Sequence, residues 1–405
     1  MMGAYENADA VHKKQVDILL DEAKANGGMA PVDIEQFWED QEKAAANPFG
    51  ENIPQCAFGA TLTRECVFDE LGVKEDFRRF LHEDEVWALE LSKRYNDLSE
   101  KIVGRRLLTE KPKDKSREWP AGIKGLNDIF ESKNVWEGGV TGSWWLEESA
   151  HTPEELSHLL DRVEKRLENL KEFLFPENWE AEKKRLVDIG CKVPLYRGQR
   201  GPCTFATSIY GAENLLMLYY DDPALMKRFS EIICRAILER ARIFDEEAGT
   251  ETVAQNGRGW SWADDNCCLF TPEMYEFFAM QIHREVFGKY ASFEGSIRYQ
   301  HSDSAMGHLL PLLSELELTG TNFGPTLTVS EIRNYCPHAR IDGQLSPFTY
   351  SRNEEQNMIS EFLRDFEQAK EKRGLNFTTA GSINNGSRLT GMRLLMAAVQ
   401  RYGRY

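Results

Sequence analysis

Tyr299-Gln300-His301-Ser302-Asp303 closes a short apolar run. After it, Ala305 to Leu316 carries Leu309, Leu310, Leu312, Leu313 and Leu316 as the stripe of a helix. A second short strand spans 318–323 and ends in Asn322-Phe-Gly-Pro, and a helix follows over 328–335. A third strand, 339–342, runs into Gly343-Gln344-Leu-Ser-Pro, and a long helix is expected over 353–372. A fourth, 375–379, runs into Gly381-Ser-Ile-Asn384-Asn-Gly. Strand alternating with helix at this spacing marks parallel βα units. Polar residues end each strand, at the face where (β/α)8 barrels carry their chemistry. The second half of the chain therefore reads as half a barrel.

Working back towards the N-terminus, 252–255 reads as a strand followed by Asn256-Gly-Arg258-Gly-Trp260-Ser-Trp262-Ala-Asp264-Asp265, with Thr271-Pro-Glu opening the next helix. Residues 193–196 read as a strand before Arg197-Gly-Gln-Arg200-Gly-Pro-Cys-Thr, a glycine-rich loop with neither a P-loop lysine nor a dinucleotide fingerprint. Helices are expected over 152–174 and 221–248, and an amphipathic one over 75–102; 56–60 is a further short strand. The basic run Arg105, Arg106, Lys111, Lys113, Lys115 and Arg117 reads as a solvated loop. Residues 1–51 form a helical arm whose Phe37 and Trp38 are expected to pack on the body or on a second subunit of a homodimer. Residues 52–405 form one α/β body.

A net charge of −17 excludes nucleic acid as the expected partner, because phosphate backbones need clustered Lys and Arg. No apolar run approaches the ~20 residues of a spanning helix, and the first residues lack a signal peptide's basic and apolar regions. The eight scattered cysteines include no C-x-x-C pair and read as reduced thiols. A cytoplasmic protein without membrane or nucleic-acid partners is the expectation.

Four ordered stretches carry a family resemblance: Arg200-Gly-Pro-Cys-Thr-Phe-Ala-Thr; Ala263-Asp-Asp-Asn before Thr-Pro-Glu-Met-Tyr; Asn322-Phe-Gly-Pro with Asp342-Gly-Gln-Leu-Ser-Pro; and Ala380-Gly-Ser-Ile-Asn-Asn-Gly-Ser. Over residues 195 to 405 the chain resembles the uroporphyrinogen decarboxylase superfamily of (β/α)8 barrels and its corrinoid-linked methyltransferase relatives. The resemblance implies a (β/α)8 TIM barrel, here with an N-terminal helical extension. The decarboxylases' Arg-Gln-Ala-Gly-Arg-Tyr segment is missing from residues 1–120. The zinc methyltransferases' His-x-Cys is represented by His301-x-Asp303, and Gly381 stands where their second cysteine would be. The resemblance thus implies either a zinc site of His301, Asp303 and one of Asp264, Asp265 or His308, or a rim histidine without metal.

Asp264, Asp265, His301 and Asp303 are the candidate catalytic residues. For Asp264-Asp265 the competing role is capping the helix at Thr271. Arg197, Arg200 and Arg258 are candidate carboxylate anchors; Trp260 and Trp262 suit an aromatic wall or the core. Asn322, Gln344 and Asn384 are candidate substrate hydrogen-bonders. The leading expectation is the substrate-side methyltransferase of a corrinoid system acting on a small methoxylated or methylated compound, its corrinoid carried by a separate cobalamin-binding protein. A cofactor-independent decarboxylase and a non-catalytic barrel are the alternatives.

Overall fold

The computed structural model describes residues 3–137, 143–249 and 259–405. The strand expected at 252–255 and Arg258 lie outside them. The described residues form eight strands: β1 (Ala57–Phe58), β2 (Asn134–Glu137), β3 (Ser143–Leu146), β4 (Gly259–Ala263), β5 (Ile297–Ser302), β6 (Gly320–Phe323), β7 (Arg340–Leu345) and β8 (Leu375–Thr379). Six of them form one parallel sheet in the order β1-β8-β7-β6-β5-β4, while β2 and β3 make an antiparallel hairpin. The first strand lying beside the last is the ring relation of a (β/α)8 barrel. The chain between β1 and β4 holds the hairpin and, over 191–201, a run without regular secondary structure.

That run is where the expected strand at 193–196 fails. Pro194 offers no ladder donor and Tyr196 takes a left-handed φ of 47°. Only Gly201 joins the sheet edge, its amide donating to the Ala263 carbonyl at 2.7 Å. Other boundaries moved for equally local reasons. The helix after β5 begins at Leu310 rather than Ala305, with Pro311 in its first turn and a 3₁₀ turn, Gly307–Leu309, ahead of it. The amphipathic helix of the N-terminal half is cut at Asp84, whose carboxylate accepts from the Trp87 amide and starts a new helix, Glu85–Val103.

Alternation along the strands separates two environments. Trp260 and Trp262 point outward from β4 and pack on the helix Gln281–Tyr290: Trp260 lies 5.1 Å from the Tyr290 ring, and Trp262 lies 5.3 Å from His283. Both are core residues rather than an aromatic wall. Gln300 and Ser302 of β5 are likewise buried, which leaves Tyr299, His301 and Asp303 on the inner side. Inside the barrel Asp342 accepts from the Tyr299 hydroxyl at 3.1 Å, the Asn376 amide at 2.8 Å and Arg340 at 2.8 Å.

The arm residues form the helices Ala4–Asn7, Ala10–Ala25 and Ile34–Ala46. Val16, Leu19 and Phe37 are fully buried in the main core, and the Trp38 indole donates to the Val103 carbonyl. Its contacts reach the last helices: Tyr5 N–H to Asn357, Arg401 to Glu22, and Arg393 to the Ala30 carbonyl.

The loop after β7 is anchored from behind. Glu361, on the helix Glu355–Ala369, accepts from the Ser346 amide (2.7 Å) and the Thr349 hydroxyl (2.8 Å). Burial raises its carboxyl to about 7 from 4.5, with Asp365 adding to the rise and Arg364 opposing it. The folded chain then holds this proton more tightly than the unfolded one, so the group's contribution to stability falls as pH rises from about 4.5 to about 7. Glu361→Gln is expected to gain on the parent across that window, by up to about 3 kcal/mol at pH 8 and by nothing near pH 4. Urea unfolding at the two pH values checks it; a difference independent of pH refutes it.

Candidate active site

Parallel pairing sets Ala263 beside His301 and His301 beside Asn322, all at the C-terminal ends of their strands. Just past the strands, one residue beyond β5 and two beyond β4, the alternation brings Asp303 onto the same side as His301 and Asp265 onto the same side as Ala263. Asp265, His301 and Asp303 therefore converge, with one ligand-capable atom from each lying within 4.8 Å of the others. The Asp265 carboxylate is 3.5 Å from His301 Nε2 and accepts the Asp303 amide at 3.0 Å. The Ser304 hydroxyl donates to the Asp265 carbonyl at 2.6 Å and pins the loop. Partial desolvation and then the Asp265 charge raise the Asp303 carboxyl above its ordinary value, with His301 opposing.

Asn322 decides which face His301 offers. Its Nδ2 donates to the carbonyls of Asp342 and Thr379, which leaves Oδ1 to accept from His301 Nδ1 at 2.7 Å. A neutral imidazole with its proton on Nδ1 carries its lone pair on Nε2, the nitrogen that faces the two carboxylates. A nitrogen donor fixed from behind and aimed between two carboxylate oxygens fits a divalent cation. No cysteine belongs to this cluster among the described residues. Cys203 and Cys267 are buried, and desolvation holds both thiols well above their ordinary value.

Gly381 closes one side of the triad. A side chain there would begin 2.9 Å from the Asp303 Cβ, and its φ of 120° suits only glycine. Gly381 also floors a cavity of about 640 Å³ whose walls include Arg64, His82, Trp136, Trp144 and Asn384. The three rings stand edge to face, with centroids 5.3 to 5.7 Å apart. Asn384, a candidate substrate hydrogen-bonder, lines this cavity. His82 and the hairpin tryptophans escaped the sequence reading. Their signal was the Trp136 and Trp144 pair on either side of a glycine-containing stretch of sequence.

Other candidates are placed elsewhere. Asp264 shares the outward side of Trp262 and is fully buried, with burial as the main cause raising its carboxyl to about 6. It accepts the Thr204 amide at 2.7 Å and caps the helix Pro202–Tyr210, not the one at Thr271, where the Thr271 hydroxyl itself accepts from Met274. Gly201 has to be glycine because a Cβ would sit 2.3 Å from that of Asp264. Arg197 is spent on Asp245, at 2.5 to 2.9 Å, beneath Trp260 and Tyr290. Gln344 is buried and donates to the carbonyls of Gly324 and Leu327, bracing the loop after β6. Asn322 is occupied in the same way by His301 and the two carbonyls. His308 bonds the Phe270 carbonyl through Nε2 at 2.8 Å, outside the triad.

No described helix is long and apolar enough to cross a membrane. The chain resembles the solved structure of a methyltransferase from Methanosarcina mazei, with a TM-score of 0.50 and 17% identity over 88% of this chain and 96% of that one. No curated protein matches it. The family model for uroporphyrinogen decarboxylase (URO-D) matches residues 148–402, the stretch that supplies β4 to β8, Asp265, His301, Asp303 and the Gly381 turn. With over half its length and its whole candidate triad inside that match, the chain belongs to the uroporphyrinogen decarboxylase family.

Proposed function

We propose that this barrel is the substrate-side component of a methyl-transfer system, removing a methyl group from a small methylated compound held in the cleft above Gly381. The observation that carries the reading is the triad of Asp265, His301 and Asp303, with His301 Nε2 presented by Asn322. These residues would hold a divalent cation, zinc foremost given one nitrogen and two oxygen donors. Bound there, such an ion would supply Lewis-acid polarisation of the leaving oxygen of a methylated compound.

The chain's own residues do the rest. Asn322 fixes the imidazole, Ser304 and the Asp303 amide hold Asp265 in place, and glycine at 381 lets its turn pack directly against Asp303. The oxygen keeps the bonding pair and takes a proton from water at the open rim. The methyl carbon bonds to an external nucleophile, for which the reduced corrinoid of a separate cobalamin-binding protein is the proposed acceptor.

The decisive experiment combines metal analysis of the purified protein with incubation on a panel of small methyl ethers. About one zinc per chain is expected, with demethylation only when a reduced corrinoid is supplied. Carbon dioxide released from uroporphyrinogen by the protein alone would replace this reading with decarboxylation.

A further inference from the structure

Of the three arginines on this rim in the sequence, Arg197 is neutralised by Asp245 and Arg258 lies outside the described residues; Arg200 stands apart. Its guanidinium is half-buried and has no carboxylate within ion-pairing distance among the described residues. Its contacts are the Ser208 hydroxyl at 3.4 Å and the Trp144 carbonyl at 3.2 Å, both neutral and both long for a charged donor. The side chain also lies 5.8 Å from the Trp145 ring. A guanidinium has five N–H donors, so most of its hydrogen-bonding capacity is unspent.

Its place in the chain fixes where that capacity is directed. The next residue, Gly201, is bonded to the end of β4 and lies against Asp264, so Arg200 is held at the strand end that leads into Asp265. Burial lowers the Arg200 pKa, and the nearby Asp265 charge opposes the fall. Through its bond to the Trp144 carbonyl, Arg200 is joined to a residue that lines the cleft. A half-desolvated cation with no carboxylate paired to it among the described residues is costly unless an anion arrives to meet it. The planar fork of a guanidinium matches a carboxylate, which bonds it twice. A dianion is disfavoured, because Asp265 and Asp303 stand close and would repel two charges.

We propose that Arg200 anchors a carboxylate on the substrate, so that the compound demethylated at the triad is a methylated carboxylic acid lying along the Trp144 wall. The substrate assignment rests on the methyl-transfer reading; the anchor itself does not.

The test is a binding measurement that needs neither turnover nor corrinoid. Tryptophan fluorescence or calorimetry at low salt would compare 4-methoxybenzoate with its neutral isostere 4-methoxybenzamide, on the parent, Arg200→Gln and Arg200→Lys. The parent is expected to prefer the carboxylate by about ten-fold. Arg200→Gln should bring the carboxylate down to the amide's affinity and leave the amide unchanged; Arg200→Lys should retain part of the preference. Thermal melts check that the variants are folded. A parent without preference, a parent that does not bind the carboxylate, or a preference surviving in Arg200→Gln overturns the anchor. A normal preference in a protein that never demethylates overturns the methyl-transfer reading and leaves the anchor standing.

Discussion

Replacing His301 with alanine is expected to abolish stoichiometric metal binding and to lower corrinoid-dependent demethylation by about three orders of magnitude. The imidazole supplies the only nitrogen of the triad, and Lewis-acid assistance to a leaving oxygen is worth several kcal/mol, with each 1.4 kcal/mol a factor of ten in rate. All eight thiols should remain titratable in the denatured parent and variant alike, because every cysteine is free and those beside the site are protonated. Zinc retained at one equivalent in His301→Ala would show that the ion, if present, is held elsewhere. Asp303→Asn and Asp265→Asn should each weaken metal binding while leaving the fold intact, since both carboxylates sit at the open rim.

Asn322→Leu is expected to have the second-largest effect, and it acts on two observables. Leucine leaves His301 Nδ1 and the carbonyls of Asp342 and Thr379 without their partner. A buried polar group left unmet costs about 1–3 kcal/mol, so a loss of about 3 kcal/mol or more in unfolding free energy is expected. Metal affinity should fall by about 10- to 100-fold once the imidazole can turn. Asn322→Asp separates the two effects. It keeps an acceptor for Nδ1 and loses the amide donor, so it should be destabilised yet retain most of its metal affinity. ¹⁵N chemical shifts of His301 would report the Nδ1–H form directly. Equal loss of metal affinity in both variants would mean that Asn322 does not act by orienting the ring.

How much of this could be read from sequence depends on whether a residue's role follows from local periodicity. The βα alternation from 297 onward and the polar strand ends were plain, and they put His301 and Asp303 at the active rim. The third member of the triad was left among Asp264, Asp265 and His308, although strand alternation carries the answer. Trp260, Trp262 and Asp264 share one parity and face the helices, while Asp265 has the other parity and faces the rim. The contacts of Arg197 and Gln344 could not be foreseen because their partners, Asp245 and the loop carbonyls after β6, come from elsewhere in the chain. No spacing rule announces a buried ion pair between residues 48 positions apart. The cleft's far wall was hidden for the same reason: His82 and Trp144 meet only in the folded molecule, at 5.7 Å.

The arm's seat on the helices Glu355–Ala369 and Leu389–Tyr402 constrains biosynthesis. Val16, Leu19 and Leu20 leave the ribosome long before the helical surface that covers them, and β1 long before its partner β8. Roughly 300 residues separate the arm from that surface, which at about 5–20 residues per second leaves its apolar face in water for roughly 15 to 60 s. During that interval the nascent chain presents a sticky amphipathic segment that cannot be buried in its native position. Trigger-type holdases that bind such segments should therefore matter more to the yield of this protein than to its stability once made.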